Sequence, residues 1–244
     1  MPETIPIFQI VLSIFIVIMA FLIRGIAGFG SGLIAIPLLA LMFPLPIVVP
    51  VVGLLDFIAA SSHGLKHRKS ISWQTIFPLL PFTFIGIVAA LYLFKTVDAY
   101  LLRKALGIFI LLFAFYTLFV KTKGLQGSRY WAIPAGLFGG FISALFGTGG
   151  PFYVLYMRVR QLDKQVFRAT AAAIFLIDGS SRIVGYFASG FYSINTMILV
   201  GVALPLMVLG LYIGEHIHTS LSQQDFQRGI SLILIGSGIA LVVQ

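Results

Sequence analysis

Apolar segments follow one another along almost the whole chain, at about residues 5–23, 33–43, 47–62, 73–94, 104–120, 130–146, 151–157, 166–187, 195–213 and 227–243. A chain with this pattern has lipid as its solvent. One crossing takes about 20 mostly apolar residues, so the length fits roughly six to eight crossings and no separate soluble domain. Charged residues make up 9% of the 244, far below the roughly 25% of soluble domains. The fold class is therefore an all-α polytopic membrane protein.

A net charge of +9 would point to nucleic acid in a soluble protein, because clustered Lys and Arg neutralise phosphate. Here the basic residues lie in short stretches between apolar segments, as the positive-inside rule requires, and no nucleic-acid partner is expected. The absence of cysteine excludes disulfides, thiolate metal sites and cysteine nucleophiles. With Glu3 and no basic opening stretch, the N-terminus lacks the pattern of a cleavable signal peptide.

Two segments, 33–43 and 151–157, are too short to cross, and each follows a glycine-rich break. The breaks read Ala27-Gly28-Phe29-Gly30-Ser31-Gly32 and Ala144-Leu145-Phe146-Gly147-Thr148-Gly149-Gly150, sharing Phe-Gly-(Ser/Thr)-Gly. Downstream, Leu55-Asp56 with Ser61-Ser62 recurs loosely as Ile177-Asp178 with Ser180-Ser181. Pro81 to Gly86 recurs with identical spacing as Pro205 to Gly210. The chain is thus read as an internal duplication: a first membrane repeat over 1–120, a connecting loop over 121–129, and a second repeat over 130–244.

Charge decides between parallel and inverted halves. If the chain crosses at each break, Lys and Arg divide 6 against 8, without bias. If each broken segment is instead a hairpin that returns to its own face, one face collects Lys66, Arg68, Lys69, Lys121, Lys123, Arg129, Arg158, Arg160, Lys164, Arg168 and Arg228. The other keeps Lys95, Arg103 and Lys104, so the division is 11 against 3. The second arrangement satisfies the positive-inside rule. It makes each half a Gly-broken helical hairpin plus three transmembrane helices, inverted relative to the other. The 121–129 loop is then cytoplasmic, both termini lie outside, and the group at 95–104 is left unexplained.

A helix broken within the bilayer must line protein or a watery cavity, since lipid cannot satisfy its backbone. Interrupted segments at corresponding positions are the best sequence pointer to a transporter's binding site. Half-helices starting after Gly32 and after Gly150 would each present N–H groups and a positive dipole end, which favours an anion. The expected substrate contacts are Gly30, Ser31, Gly32, Gly147, Thr148, Gly149 and Gly150, near the midplane between the breaks, with Arg24 and Arg182 in support. Glycines at such breaks also serve close helix packing.

Arg24 and Arg182 lie inside apolar segments, where ionisable groups are expensive and usually functional. Arg24 can instead snorkel to an interface. Arg182 follows Asp178 by four residues on one helix face, so the sequence leaves open whether it binds substrate or only neutralises that carboxylate. Asp56 and Asp178, at matching repeat positions, are the expected carriers of a coupling proton or cation. The serines and Thr148 offer hydroxyls but can also bond their own helix backbone. His63 and His67 have a metal-compatible spacing; Lys66, Arg68 and Lys69 beside them oppose a cation, so no metal site is expected. Glu215, His216 and His218 are read as interfacial.

The two breaks, carried by Gly28-Phe29-Gly30-Ser31-Gly32-Leu33-Ile34-Ala35-Ile36-Pro37-Leu38-Leu39 and Phe146-Gly147-Thr148-Gly149-Gly150-Pro151-Phe152, resemble the sulfite exporter TauE/SafE family of bacterial inner-membrane anion carriers. The resemblance extends over nearly the whole chain. Family members typically carry Gly-x-Gly-Gly-Gly leading to Pro-Leu, whereas here Ser31 interrupts the first run and the second copy lacks the later proline. The resemblance implies a multi-pass inner-membrane transporter of sulfite or an organosulfonate such as sulfoacetate, coupled to an ion gradient and needing no cofactor. Partners are then the small anion, the bilayer and a coupling proton or cation, with a homo-oligomer left open. An anion channel is the alternative. A membrane enzyme would need a nucleophile with a base or a metal set such as His-Glu-x-x-His, and neither occurs in the sequence.

Overall fold

The computed structural model describes residues 6–27, 30–63, 70–119, 127–217 and 223–243. Gly28 and Phe29, His67 with its basic neighbours Lys66, Arg68 and Lys69, most of the connecting loop, and His218 lie outside the described residues, as do the side chains of Ser62 and His63. Among the described residues all regular secondary structure is helical. Its elements are α1 Ile7–Ala27, α2 Ser31–Ala40, α3 Leu45–His63, α4 Trp73–Ile76, α5 Leu80–Thr96, α6 Ala99–Phe119, α7 Ala132–Phe146, α8 Gly150–Val159, α9 Lys164–Ala188, α10 Ile194–His216 and α11 Gln223–Val243. Four of them contain stretches long and apolar enough to cross a membrane: Ile7–Ile26, Ala99–Tyr116, Gln165–Ala188 and Ile194–His216. Shorter apolar helices make up the rest, and the chain is a polytopic membrane protein.

Three boundaries differ from the sequence reading. The single segment expected at 73–94 is two helices, α4 and α5, because Pro78 and Pro81 lack the N–H a continuous helix needs, and Pro81 sits in the first turn of α5. The stretch 95–104 is not a loop. Lys95 lies in the last turn of α5, Asp98 Oδ2 accepts from Tyr100 N at 3.2 Å and so starts α6, and Arg103 and Lys104 are helical. The half-helices begin at Ser31 and Gly150, one or two residues before the expected starts.

The chain divides into two compact units. Unit 1 comprises residues 1–52, 98–120 and 194–244, and unit 2 comprises 53–97 and 121–193. Each draws on both halves of the chain.

In unit 1, α1 packs along α10 and α6 along α11, with α2 against α1 and α11. The first pair closes through small residues: Gly210 and Gly214, spaced as Gly-x-x-x-Gly, lie against the backbone of Ile18 and Leu22, and Gly25 lies against Leu211 and Gly214. Without Cβ atoms the helix backbones approach closely, which supplies the dispersion that replaces hydrophobic driving force in lipid. Gly107 and Gly238 bring α6 and α11 together in the same way. Phe21, Ile36, Leu106, Ile110 and Leu241 are fully buried.

In unit 2, α5 packs along α7. Gly136 and Gly140, again Gly-x-x-x-Gly, meet the backbone of Leu79 and Thr83, while Gly86 meets Leu137 and Phe141. Ile76, Leu79, Tyr153, Tyr156, Met157 and Ile174 form the core beside them. Ser72 N donates to Thr170 Oγ1 at 2.9 Å and Tyr156 OH donates to the Thr75 carbonyl at 3.3 Å, pinning α4 to α9 and α8.

Candidate functional site

Both short half-helices have ten residues, about 15 Å of rise, half of a bilayer core. Each follows a turn with a glycine in the left-handed region, which favours glycine. In unit 1, Gly30 precedes α2 with φ 99°. Ser31 and Gly32, both buried, form the first turn of α2. Arg24, half-buried in the last turn of α1, reaches across the break, its Nη1 donating to Ser31 Oγ at 3.0 Å.

In unit 2, Gly147 ends α7 with φ 66°, its N–H donating to the Ser143 carbonyl. Thr148 follows, 4% exposed, and its Oγ1 has no hydrogen-bond partner among the described residues. Gly149 then presses its backbone onto the Gly139 carbonyl and Ser143 Cβ of α7, a contact that any Cβ would prevent. A Cβ on Gly150 would meet only the Phe175 ring, at 3.4 and 3.5 Å.

Behind this second break lies a polar cluster. Asp178, 3% exposed on α9, accepts from Ser143 Oγ of α7 at 2.5 Å and from Tyr153 OH of α8 at 2.8 Å. Arg182 Nε lies 3.0 Å from Asp178 Oδ2 as an ion pair, without the alignment of a hydrogen bond. Arg182 Nη1 donates to the Ser143 carbonyl at 3.1 Å and Tyr186 OH to the Ala144 carbonyl at 2.5 Å. Both carbonyls belong to the last turn of α7: that of Ser143, which already accepts from Gly147 N, takes a second donor, and that of Ala144 lies where the helix no longer supplies one. A guanidinium there also meets the negative end of the helix dipole. Arg182 therefore pairs with Asp178, as its spacing allowed, and caps α7 as well. Asp56, half-buried on α3, also acts electrostatically on Arg182.

Phe94, Phe191 and Tyr192 surround Tyr186. In the turn after α9, burial pushes the Tyr192 phenol up to about 12, with Arg182 opposing. Tyr192 is thus protonated throughout the physiological range.

Sequence reading missed Ser143, Tyr153 and Tyr186. The available signal was their polar atoms within apolar stretches beside a break, because a buried hydroxyl needs a partner. Ser61, Ser180 and Ser181 do bond their own helix backbone, at 2.8, 2.7 and 2.6 Å to the carbonyls of Phe57, Leu176 and Ile177. His216, at the end of α10, bonds the Tyr212 carbonyl.

The family described as Sulfite exporter TauE/SafE matches this chain over residues 13–241. Among curated proteins, "Probable inner membrane transporter protein TsaS" of Comamonas testosteroni is 25% identical over 190 residues, covering 77% of this chain and 80% of that protein. "Probable sulfite/organosulfonate exporter TauE" of Cupriavidus necator is 24% identical over 232 residues, covering 90% of this chain and 88% of the relative. No solved structure matches.

Proposed function

We propose, for a chain that belongs to the sulfite exporter TauE/SafE family, that it is a secondary transporter moving sulfite or a small organosulfonate across the bacterial inner membrane. One observation carries the reading. Two apolar helices break at Gly-(Ser/Thr)-Gly and restart as ten-residue helices whose amine ends face the break, the construction with which transporters attract anionic groups. The names of both relatives agree with it. Gly30 to Gly32 at the first break and Gly147 to Gly150 at the second are alternative backbone donor sets for the anion in this proposal, and Arg24 is the candidate supporting cation at the first. Arg182 fits that role less well, because Asp178 and the Ser143 carbonyl already hold it.

A coupling proton or cation belongs at Asp56 or Asp178. The inverted arrangement of the halves is part of the proposal and rests on the charge bias alone. Cysteines placed at 66 and 164, in a chain with no native Cys, should both resist an impermeant reagent in intact cells. Rapid labelling at both rejects the orientation, and at one alone the inversion.

Proteoliposome uptake of sulfite, sulfoacetate, sulfate and small carboxylates, with and without a pH gradient, tests the function. Saturable counter-flow of sulfite or sulfoacetate is expected. Uptake of carboxylates alone overturns the substrate class, and unitary conductance overturns the carrier mechanism.

A further inference from the structure

The hydroxyls at the two breaks are used differently. Ser31 Oγ, 0% exposed, accepts from Arg24. Thr148 Oγ1 is as deeply buried and lacks any partner among the described residues. A helical threonine would bond back to a carbonyl of its own preceding turn, as Thr83 does with Leu79. Thr148 stands outside both helices, in the turn between Gly147 and Gly149. A buried hydroxyl without a partner is costly, and such groups in native structures point to something that completes them.

What lies beside it is the amine end of α8. Among the described residues no side chain caps that end: the N-cap is Gly149, the first residue is Gly150, and Pro151 has no N–H to offer. Gly147 and Gly149 bring the main chain up without Cβ atoms in the way, and the Gly149 backbone is fixed against α7. Phe152 N already donates to the Gly149 carbonyl at 3.2 Å, so among the described residues the N–H that the first turn of α8 still offers is that of Gly150, beside the Thr148 hydroxyl and at the positive end of the helix dipole. They make a donor set for a group that presents only acceptors.

Resting on the transport reading above, we propose that the second break is where the oxyanion is held, by Thr148 Oγ1–H and the Gly150 N–H that opens α8. The ligand class is a fully ionised sulfur oxyanion or sulfonate head group, whose oxygens accept and do not donate. Ser31 belongs to Arg24 and is not a ligand. Holding the anion with neutral donors suits a carrier, which must release what it binds.

The test is isothermal titration of the purified full-length chain in nanodiscs with sulfite and, separately, with sulfoacetate. Thr148→Val, which keeps shape and removes the hydroxyl, should weaken binding roughly 10- to 100-fold, the value of a hydrogen bond to a charged group. Thr148→Ser should stay near wild type. Thermal unfolding of the same samples separates binding from structure. Without anion, Thr148→Val should be at least as stable as wild type, because it removes an unsatisfied group, and the rise in Tm that anion gives the wild type should be missing. A lowered anion-free Tm in Thr148→Val, or wild-type affinity in that variant, overturns the assignment while leaving anion transport standing. A wild type that binds neither anion overturns the transport reading itself.

Discussion

Among the described residues an Arg–Ser hydrogen bond crosses the first break, whereas a polar cluster lies behind the second. At the first, Gly30 makes the turn and Arg24 spans it to Ser31. At the second, Asp178 takes a hydroxyl from each side of the break, Ser143 from α7 and Tyr153 from α8, while Arg182 and Tyr186 take up the carbonyls where α7 stops. A shared Phe-Gly-(Ser/Thr)-Gly pattern therefore does not imply shared mechanics. The second break is fixed from α9, and that fixation leaves its own hydroxyl unused.

The largest expected effect tests the cluster. Asp178→Leu leaves Arg182 buried without its counter-charge and should destabilise unit 2 by about 3–5 kcal/mol, with the double variant Asp178→Leu, Arg182→Leu recovering part of the loss. Denaturant unfolding in detergent micelles measures both. Arg24→Met, at the half-buried counterpart, should cost less; an equal cost would erase the contrast. Tyr153→Phe comes next, removing one bond to a charged acceptor for about 1.5–3 kcal/mol, and a loss near zero would mean that α8 is not held through Asp178.

Smaller effects sharpen the comparison of turns. Gly30→Ala meets no steric obstacle among the described residues, yet its φ of 99° should cost about 1–2 kcal/mol in backbone strain. Gly150→Ala, with an ordinary φ and only the Phe175 ring in van der Waals range, should change stability by less than about 0.5 kcal/mol. If the two alanine variants unfold alike, backbone conformation is not what distinguishes these glycines.

The sequence made the solvent, the apolar segments and both breaks legible, because a lipid-embedded helix announces itself by length and a break by glycine. It also marked Asp178 and Arg182 as an i,i+4 pair. The partners from other helices were not legible. Ser143 lies 35 residues from Asp178 and Tyr186 lies 42 from Ala144, and no local pattern carries such distances. The exchange of helices between halves escaped for the same reason. The Pro-Gly match of α5 and α10 was visible, whereas the packing of each against the opening helix of the other half, α7 and α1 respectively, is a property of three dimensions.

That exchange sets an order in time. Every residue of unit 2 has been made once the chain reaches residue 193, whereas α1 must await α10, whose first residue is Ile194. At ribosomal rates of about 5–20 residues per second, α1 waits on the order of ten to thirty seconds for its partner. Its glycine-bearing face stays open to lipid or to chaperones throughout that interval, and synthesis halted before α10 leaves unit 2 able to close and unit 1 unable to.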